Sequence, residues 1–485
     1  MSVQSPSVNS PRAAANNPIA RAAGSFRPST MPAVVRRNYT RELPASALLA
    51  LGRAAFEGSV IAGVARVAYE GRVEDKLLNF AVAAIAAAPA AANILNFLWV
   101  RLAHGLNKTV FLAAVQSAVV ACIIGLAAMP VSPAGLVGTI VFVFIAWTCW
   151  SGFTAVRTTV WRANYPRDVR ASIASKFAAI QTLLIGGAGI LVGWVMSIDV
   201  LAKLSIEPTT VFRVYLLLCA VFAALSVGVM SGIRVRQHKR LLRAEREASA
   251  DNTGPTINPI GVISLLLEDK RYGLYQVNQF LLGLGNLMLF PLMPILLRER
   301  FDAGYDTIIL LSGSLGLVVT PLALPIWAKL LDGVHIVRFR AFHSWLFVIN
   351  FVLLMFAVGF EIRGLLYACV TIKGVTMAGG VLAWQLGHHD FAPASRASEY
   401  MGVHVTLTGV RGIVGPVLAV GLYTALTDIS PGLGTVVLGV CLLFVLISAI
   451  GFTWMNAKMD LTPVDDRLPA DSKTLGAAPV SRADS

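Results

Sequence analysis

The chain has 485 residues, of which 56% are hydrophobic and only 14% are charged, and its mean hydropathy is +0.70. Soluble domains carry about a quarter charged residues, so this composition excludes an ordinary soluble protein and predicts a membrane protein. The formal net charge of +14 argues only weakly for a nucleic-acid partner, because the positive residues lie in the first 41 residues and in the loops between apolar runs, where membrane topology places them.

Apolar runs predict twelve membrane-spanning helices. A hydrocarbon core about 30 Å thick needs about 20 mainly apolar residues for each helical crossing. Stretches such as 109–134 and 432–456 meet this requirement without any charged residue. The predicted spans, in chain order, are 44–69, 77–101, 109–131, 133–157, 171–198, 210–233, 272–297, 304–330, 339–360, 363–385, 398–426 and 431–456.

Loop charge predicts the orientation of these spans. Arginine and lysine collect in alternate loops, whereas the remaining loops are short and carry mixed or acidic charge, as in "YEGRVED" and "LTDIS". Arg157 is placed in one of the basic loops. The positive-inside rule then puts both termini in the cytoplasm, and we predict a multi-pass protein of a bacterial inner membrane. The predicted division is a disordered cytoplasmic tail 1–43, a six-helix bundle 44–233, a cytoplasmic linker 234–271, a second six-helix bundle 272–456 and a cytoplasmic tail 457–485.

Two segments recur at nearly the same distance along the chain. "WVRLAHGLNK" from Trp99 aligns with "WAKLLDGVHI" from Trp327, a shift of 228 residues. "RANYPRDVRASIASKFAAIQTLLIGGAG" from Arg162 aligns with "HHDFAPASRASEYMGVHVTLTGVRGIVG" from His388, a shift of 226 residues that pairs Gly186 with Gly412. Both alignments join the same ordinal spans in each half, so the sequence predicts two parallel six-helix repeats.

The run His388-His389-Asp390 has the residue types of a metal or catalytic site. Consecutive residues on a helix point about 100° apart, so the three side chains do not readily converge on one ion. We therefore expect a loop that docks the junction of the tenth and eleventh spans on the cytoplasmic face. All five cysteines fall in apolar runs without a CxxC pattern, which predicts buried thiols. We expect no metal, no cofactor and no catalytic residue.

Over roughly residues 44–456 the chain resembles the major facilitator superfamily of secondary transporters. The resemblance rests on twelve spans in parallel repeats, on a basic loop after the second span with a counterpart after the eighth, and on the Pro-x3-Arg element of Pro166 and Arg170. The family's loop motif, Gly-x3-Asp-Arg-x-Gly-Arg-Arg, lacks its aspartate in the first copy. The resemblance implies that these loops hold the cytoplasmic side in one conformation, through Lys108, Asp332, Arg338, Arg170 and Arg396.

Four ionisable residues lie far from the ends of the predicted spans, namely Arg53, Glu57, Lys373 and Arg411. A charge at mid-membrane costs at least about 2.5 kcal/mol on insertion scales, so each needs a function or a partner. The resemblance implies a central cavity lined by spans 1, 4, 7 and 10 with 2, 5, 8 and 11 beside them, and all four residues fall on these spans. An excess of cations favours an anionic solute bound by Arg53, Lys373 and Arg411, while pairing with carbonyls or snorkelling to water is the alternative.

Arg53 and Glu57 are four residues apart and share a helix face, which favours a structural or gating ion pair. A proton-carrying Glu57 is the alternative. Amides on one face of the seventh span are predicted to give solute specificity, with interhelical hydrogen bonds as the alternative. These amides are Gln276, Gln279 and Asn286, and further polar candidates are Asn79, Asn93, Asn96, Gln181, Gln385 and His404.

The sequence thus predicts an all-α polytopic membrane protein of twelve helices in two six-helix bundles. The function that follows is secondary active transport of a small solute by a monomer whose two bundles rock about a central site. Its expected partners are the solute, the lipid bilayer and, if Glu57 carries them, protons. Two alternatives are an integral membrane enzyme that uses the His388–Asp390 region and a transporter-like sensor that moves no solute.

Overall fold

The computed structural model describes residues 24–57, 71–195, 207–250, 259–303, 310–430 and 432–462, together with Ile61, Tyr69 and Thr307. Twelve long helices run through these residues. They are α1 (Ala33–Arg53), α2 (Asp75–Ile94), α3 (Lys108–Ala128), α4 (Pro133–Asn164), α5 (Arg167–Val195), α6 (Pro208–Ser231), α7 (Lys270–Phe301), α8 (Leu315–Gly333), α9 (Ile336–Gly359), α10 (Arg363–Leu386), α11 (Ala397–Ile429) and α12 (Val437–Lys458).

Shorter helices extend or connect these elements. Asn96–Ala103 continues α2 after a bend of 45°. His238–Ala250, which we call the linker helix, and Pro259–Glu268 lie between α6 and α7. The segment "DNTGPTINP" begins after the linker helix, and its residues 251–258 lie outside the described residues.

Local side chains begin several helices. The Asn107 side chain accepts hydrogen bonds from the backbone at the start of α3, Ser132 does so for α4, and Asp269 does so for α7. Each satisfies a backbone N–H group that the first turn of a helix leaves without a carbonyl partner. These caps set where the chain turns at the ends of the bundle.

Within the described residues, nine helices are long and apolar enough to cross a bilayer, and the bent pair in α2 brings the number to ten. With α1 and α8 they make the twelve-helix all-α fold, which confirms the predicted fold class and a multi-pass membrane protein. The five cysteines are free and buried, as predicted.

The helices form two bundles with the same packing. In the first, α1 contacts α5 and α6, α4 contacts α2 and α3, and α3 contacts α6. Every one of these pairs recurs six helices later: α7 contacts α11 and α12, α10 contacts α8 and α9, and α9 contacts α12. The predicted parallel duplication is therefore visible in the packing.

The two bundles meet mainly along α2 with α11 and along α5 with α8. Glycines bring α2 and α11 together, because a Cβ on Gly409 would lie 2.6 Å from the carbonyl oxygen of Ala90 and one on Gly412 would lie 2.9 Å from the Ala90 Cβ. Small residues allow such close approach between membrane helices. We call the end of the molecule where α2 leads to α3, α4 to α5, α8 to α9 and α10 to α11 the basic end.

The first helix differs from its predicted span. α1 begins at Ala33, eleven residues before the predicted start at residue 44, and ends at Arg53, where a short 3-10 turn follows. Its first turns are held by tertiary contacts: Asn38 Nδ2 donates to the Arg234 carbonyl at 2.9 Å and the Tyr39 hydroxyl to the Phe26 carbonyl at 3.0 Å. Residues 33–43 are therefore helical although they carry no apolar run. Most of 58–70 lies outside the described residues.

α4 is longer than its predicted span, which ended at residue 157, because the helix continues to Asn164. Arg157, which the sequence placed in a cytoplasmic loop, lies inside this helix and is only 6% exposed. The placement in a loop was wrong because the span was ended at the first charge, whereas a buried carboxylate accommodates that charge.

Candidate functional site

A cavity of about 190 Å³ lies between the two bundles. α1, α2, α4 and α5 line it from the first bundle, and α10 and α11 line it from the second. α4 contributes the largest share through one face, on which Trp147, Trp150, Thr154, Arg157 and Trp161 recur every three or four residues. A site built from both bundles changes shape when the bundles move.

Arg53 lies at the cavity wall where α1 ends. Its guanidinium carbon is 4.9 Å from the centroid of the Trp150 ring and 5.3 Å from that of Trp147, within cation–π range. One guanidinium nitrogen is 2.6 Å from the Glu57 carboxylate, and both side chains are about a quarter exposed. The ion pair expected from their spacing is present, although the helix ends between the two residues.

Arg157 forms the other cationic side of the cavity. Its guanidinium carbon lies 4.6 Å from the Trp161 ring centroid, and its nitrogens donate to Glu42 at 3.0 Å and to Ser46 at 2.6 Å. Glu42 is fully buried and also accepts hydrogen bonds from the Trp161 indole and the Tyr165 hydroxyl. Both carboxylate oxygens are thus satisfied, and α1 is joined to α4 by a buried ion pair.

Three of the predicted polar residues line the same cavity: Asn93, Gln181 and Gln385. The Gln181 side-chain nitrogen and the Gln385 side-chain oxygen are buried and lack a hydrogen-bond partner among the described residues. Since buried polar groups are normally paired, an unpaired donor and an unpaired acceptor on residues that line the cavity from opposite bundles can bind a polar solute.

Lys373 and Arg411 lie elsewhere in the second bundle. Arg411 is buried, donates to the Gln279 backbone carbonyl at 2.6 Å and to the Thr408 hydroxyl at 3.0 Å, and therefore links α11 to α7. Lys373 is half-buried in α10 and forms no ion pair with a described carboxylate. Neither lies among the residues that line the central cavity.

The α7 amides make interhelical contacts in this conformation. The Gln276 side-chain oxygen is 3.1 Å from His404 Nδ1 on α11, and Asn286 Nδ2 is 3.7 Å from the Met377 sulfur on α10. Gln279 takes part through its backbone. Asn96 likewise donates to a carbonyl of α4. These contacts correspond to the structural alternative for the amides.

Contacts between the bundles concentrate at the basic end. Asp332, at the end of α8, accepts hydrogen bonds from the backbone N–H groups of Ala171 and Ser172 in the first turns of α5, at 2.7 and 2.9 Å. A carboxylate at a helix N-terminus is favoured by both the free N–H groups and the helix dipole. The aspartate of the second loop motif thus joins the two bundles directly.

The His388–Asp390 run adds a second connection. Asp390 pairs with Arg167 at 3.1 Å and accepts the Ile336 N–H at 2.7 Å. Arg162 donates to the His389 carbonyl at 2.8 Å, across the interface. This short 3-10 segment is buried and docks the α10–α11 junction on the first bundle, as the sequence predicted for it.

The other loop residues have separate partners. Lys108 is buried against Glu245 of the linker helix at 2.6 Å. Arg170 donates to the Tyr165 carbonyl at 3.0 Å, whereas its counterpart Arg396 pairs with Glu268 and Glu399. Arg338 is exposed at the start of α9. Their predicted conformational role stays a prediction.

Sequence reasoning missed the α4 face and Glu42. Trp147, Trp150, Arg157 and Trp161 follow helical spacing, and this stripe could have extended the fourth span beyond residue 157. Glu42 carries no comparable signal, because it lies among charged residues of a segment that reads as a tail.

Solved structures of the major facilitator superfamily share this fold. The human organic anion transporter MFSD10 (TETRAN) matches with a TM-score of 0.62 and 14% identity over 87% of this chain and 100% of that one. The proton:xylose symporter XylE matches with a TM-score of 0.61 and 12% identity over 87% and 95%. A bacterial homologue of the iron transporter ferroportin, in an outward-facing state, matches with a TM-score of 0.63 and 12% identity over 86% and 99%. No protein-family model and no curated protein sequence matches the chain.

Proposed function

We propose that this chain, which has the major facilitator fold, is a secondary transporter whose solute binds in the cavity between the two bundles. The observation that carries the proposal is the cavity itself: both bundles line it, and guanidinium groups and unpaired amides face it. The similar structures named above are transporters or symporters, and this supports the same class of activity here.

The solute we propose is a small organic anion with a flat or ring-shaped body. Arg53 and Arg157, paired with Glu57 and Glu42 respectively, supply guanidinium groups, and indole rings supply flat apolar surface beside them. A volume of about 190 Å³ lies below the roughly 300–1,000 Å³ of pockets for drug-sized ligands, which favours a small solute. The organic anion transporter among the structural relatives supports this choice.

The conformation described is closed at the basic end, through Asp332 and Asp390. If loop charge sets the orientation, the basic end is cytoplasmic and the structure is closed on its cytoplasmic side. Alternating access then requires these contacts to break as contacts at the opposite end form. The same topology argument supports cytoplasmic termini, and we also propose a bacterial inner membrane and a monomer.

Uptake into proteoliposomes tests the proposal. With the purified chain and a panel of labelled carboxylate and phosphate solutes, at least one should show saturable uptake. Arg53→Gln should raise its KM or abolish uptake, and Arg53→Lys should recover only part, since lysine lacks the planar guanidinium that stacks on Trp150. Arg72→Gln is the matched control, because the Arg72–Glu207 pair is more than half exposed. Equal uptake by empty vesicles and protein vesicles across the panel would refute transport.

We still propose that Lys373 and Arg411 contribute to solute binding, and that the solute reaches them only after the bundles rearrange. Lys373→Ala and Arg411→Ala should each raise the KM for the transported anion. Arg411→Ala also removes a link between α11 and α7, so the melting temperature of both variants must be compared with that of the parent. Unchanged KM in both variants would leave Arg53 and Arg157 as the cationic site.

Proton coupling through Glu57 is a separate proposal. An anion that binds Arg53 would compete with the Glu57 carboxylate for the same guanidinium, and this links solute binding to the state of Glu57. Glu57→Gln should flatten the pH dependence of uptake while exchange of solute across the membrane continues. An unchanged pH profile would remove Glu57 as the coupling group.

A further inference from the structure

A larger cavity opens between α5 and α8. Its volume is about 1480 Å³, against about 190 Å³ for the central cavity. This exceeds the roughly 1,000 Å³ of most small-molecule pockets. We call it the lateral groove.

The lateral groove is polar at the basic end and apolar along the rest of its length. Lys176 of α5 and Lys329 of α8 lie at the polar end together with the carboxylates of Asp168 and Asp332, and Asp332 is held by the backbone N–H groups of α5. The apolar part is formed by facing stripes of the two helices, which include Leu183, Ile190 and Leu322. These three side chains are 59%, 76% and 74% exposed, so nothing in the described chain covers them.

The two lysines lie at about the same distance from the point where Asp332 joins α8 to α5. On α8, Lys329 lies three residues before Asp332. On α5, the backbone N–H of Ser172 donates to Asp332, and Lys176 lies four residues after Ser172. Each lysine is therefore about one turn, or about 5 Å, from the same junction. Neither forms an ion pair with a described carboxylate, and Lys176 has only the Ser172 hydroxyl, at 3.2 Å.

The apolar stripe has the length of a lipid chain. From Lys176 to Ile190 there are 14 residues of helix, or about 21 Å at 1.5 Å per residue, whereas one leaflet contributes about 15 Å of the roughly 30 Å hydrocarbon core. A headgroup at the lysines thus leaves enough groove for one extended acyl chain.

The internal repeat shows that the lateral groove belongs to one interface only. Gly186 aligns with Gly412, yet a Cβ on Gly412 would meet Ala90 at 2.9 Å, whereas a Cβ on Gly186 would meet nothing within 4 Å. The α2–α11 interface is thus filled by protein at the position where the α5–α8 interface is open. An apolar space of this kind in a bilayer is filled from the membrane.

We propose that the lateral groove binds a membrane phospholipid, with its phosphate at Lys176 and Lys329 and one acyl chain between Gly186 and Leu322. Two lysines that form no direct ion pair with a described carboxylate can bind a phosphodiester, and the apolar stripe matches the chain attached to it. This lipid bridges the two bundles along the part of the α5–α8 interface where a Cβ at Gly186 would meet no protein atom within 4 Å. The proposal does not depend on which solute the central cavity binds.

Native mass spectrometry of the purified full-length chain, titrated in detergent with phosphatidylglycerol, tests the proposal. The parent should retain one lipid with saturable affinity. Lys176→Ala with Lys329→Ala should weaken retention about tenfold, because each lysine contributes attraction to the headgroup. Gly186→Leu should abolish retention with both lysines intact, since the new side chain occupies the groove.

Three controls keep the test decisive. Lys458→Ala removes an exposed lysine at the end of α12 and is the control for the double lysine variant. Gly421→Leu adds the same side chain as Gly186→Leu at a position where a Cβ meets nothing within 4 Å. Both control variants should retain lipid like the parent. Inorganic phosphate and glycerol phosphate should not displace the lipid. Displacement by either would show an anion site rather than a lipid site. If the double lysine variant and Gly186→Leu both retain lipid like the parent, the proposal is wrong.

Discussion

Glu42 and Arg157 form an ion pair that is shielded from solvent by the packing around it. Both are buried, at 0% and 6% exposure, and they lie 3.0 Å apart in an aromatic surrounding. Arg72 and Glu207 form a pair at 3.1 Å, but their side chains are 54% and 65% exposed. The same chemistry therefore has different consequences, because only the buried pair has lost its water.

Glu42→Gln should destabilise the protein by about 3–5 kcal/mol, because it leaves a buried guanidinium without a countercharge. The amide retains one acceptor, so the hydrogen bonds to Trp161 and Tyr165 are not lost completely. The measurement is the unfolding transition in detergent, followed by circular dichroism.

Glu207→Gln is the matched control, and its effect should stay within about 1 kcal/mol, as for exposed pairs in general. Equal destabilisation by the two variants would show that the Glu42–Arg157 pair has no special energetic role.

At the scale of elements, the linker helix completes a loop that lacks its own acid. The first loop motif has no aspartate, and Glu245 takes its place by accepting from Lys108 at 2.6 Å and from the Gly105 N–H at 2.7 Å. The linker helix also contacts the Ala394–Arg396 turn of the second bundle. It therefore connects both bundles at the basic end.

Docking of the linker helix should weaken on acidification. Burial, together with the nearby Lys108 ammonium, lowers the pKa of both His104 and His238 below the ordinary value of 6.5. Glu245 opposes both shifts, and Glu399 also opposes that of His104. The docked state holds both imidazoles neutral, whereas the released state takes up protons below pH 6.5. Docking is thus fully stabilised above that pH and is progressively lost below it.

A fluorescence pair on the linker helix and the α2–α3 loop measures this release between about pH 7.5 and about pH 5.5. Substitution of both histidines by glutamine should flatten the pH response. Retention of the full response in that variant would assign it to other groups.

Gly409 is the element-scale test of the α2–α11 contact. Gly409→Ala would place a methyl group 2.6 Å from both the Ala90 carbonyl oxygen and the Ile94 nitrogen, and backbone atoms cannot move aside as a side chain can. The two helices must separate, so the variant should favour opening of the basic end or lower the melting temperature. Gly421→Ala is the control, because its Cβ meets nothing within 4 Å. Identical melting curves and identical labelling for the two variants would count against close packing here.

At the scale of the whole molecule, few side chains hold the basic end closed. Asp332→Ala removes two charge-assisted hydrogen bonds from α8 to α5, and a loss of this kind costs about 1.5–3 kcal/mol per bond. Spin-label distances between the α4–α5 and α10–α11 loops should therefore shift towards longer values.

Asp302→Ala is the control for that measurement, since Asp302 is 90% exposed at the other end of α7 and its loss should leave the distances unchanged. A distance distribution in Asp332→Ala that matches the parent would show that Asp390 and the glycine contacts suffice for closure.

The sequence by itself determined the twelve helices, their pairing into two repeats and the ion pair of Arg53 with Glu57. Hydrophobic run length, the alignment of two segments and a spacing of four residues are local properties, so they can be read without coordinates. The docking role of His388–Asp390 followed from the same alignment. Asn93, Gln181 and Gln385 were identified as polar candidates because an amide is unexpected in an apolar span.

Only the tertiary structure decided which charges share a site. Glu42 and Arg157 are 115 residues apart, and Lys108 and Glu245 are 137 apart, so their partnership depends on how helices pack and not on spacing. The sequence grouped Lys373 and Arg411 with Arg53 because all three are cations far from the ends of the predicted spans. Packing directs Arg411 towards the α7 backbone and leaves Arg53 at the cavity, since a side chain's direction around its helix is set by neighbours that local sequence does not specify.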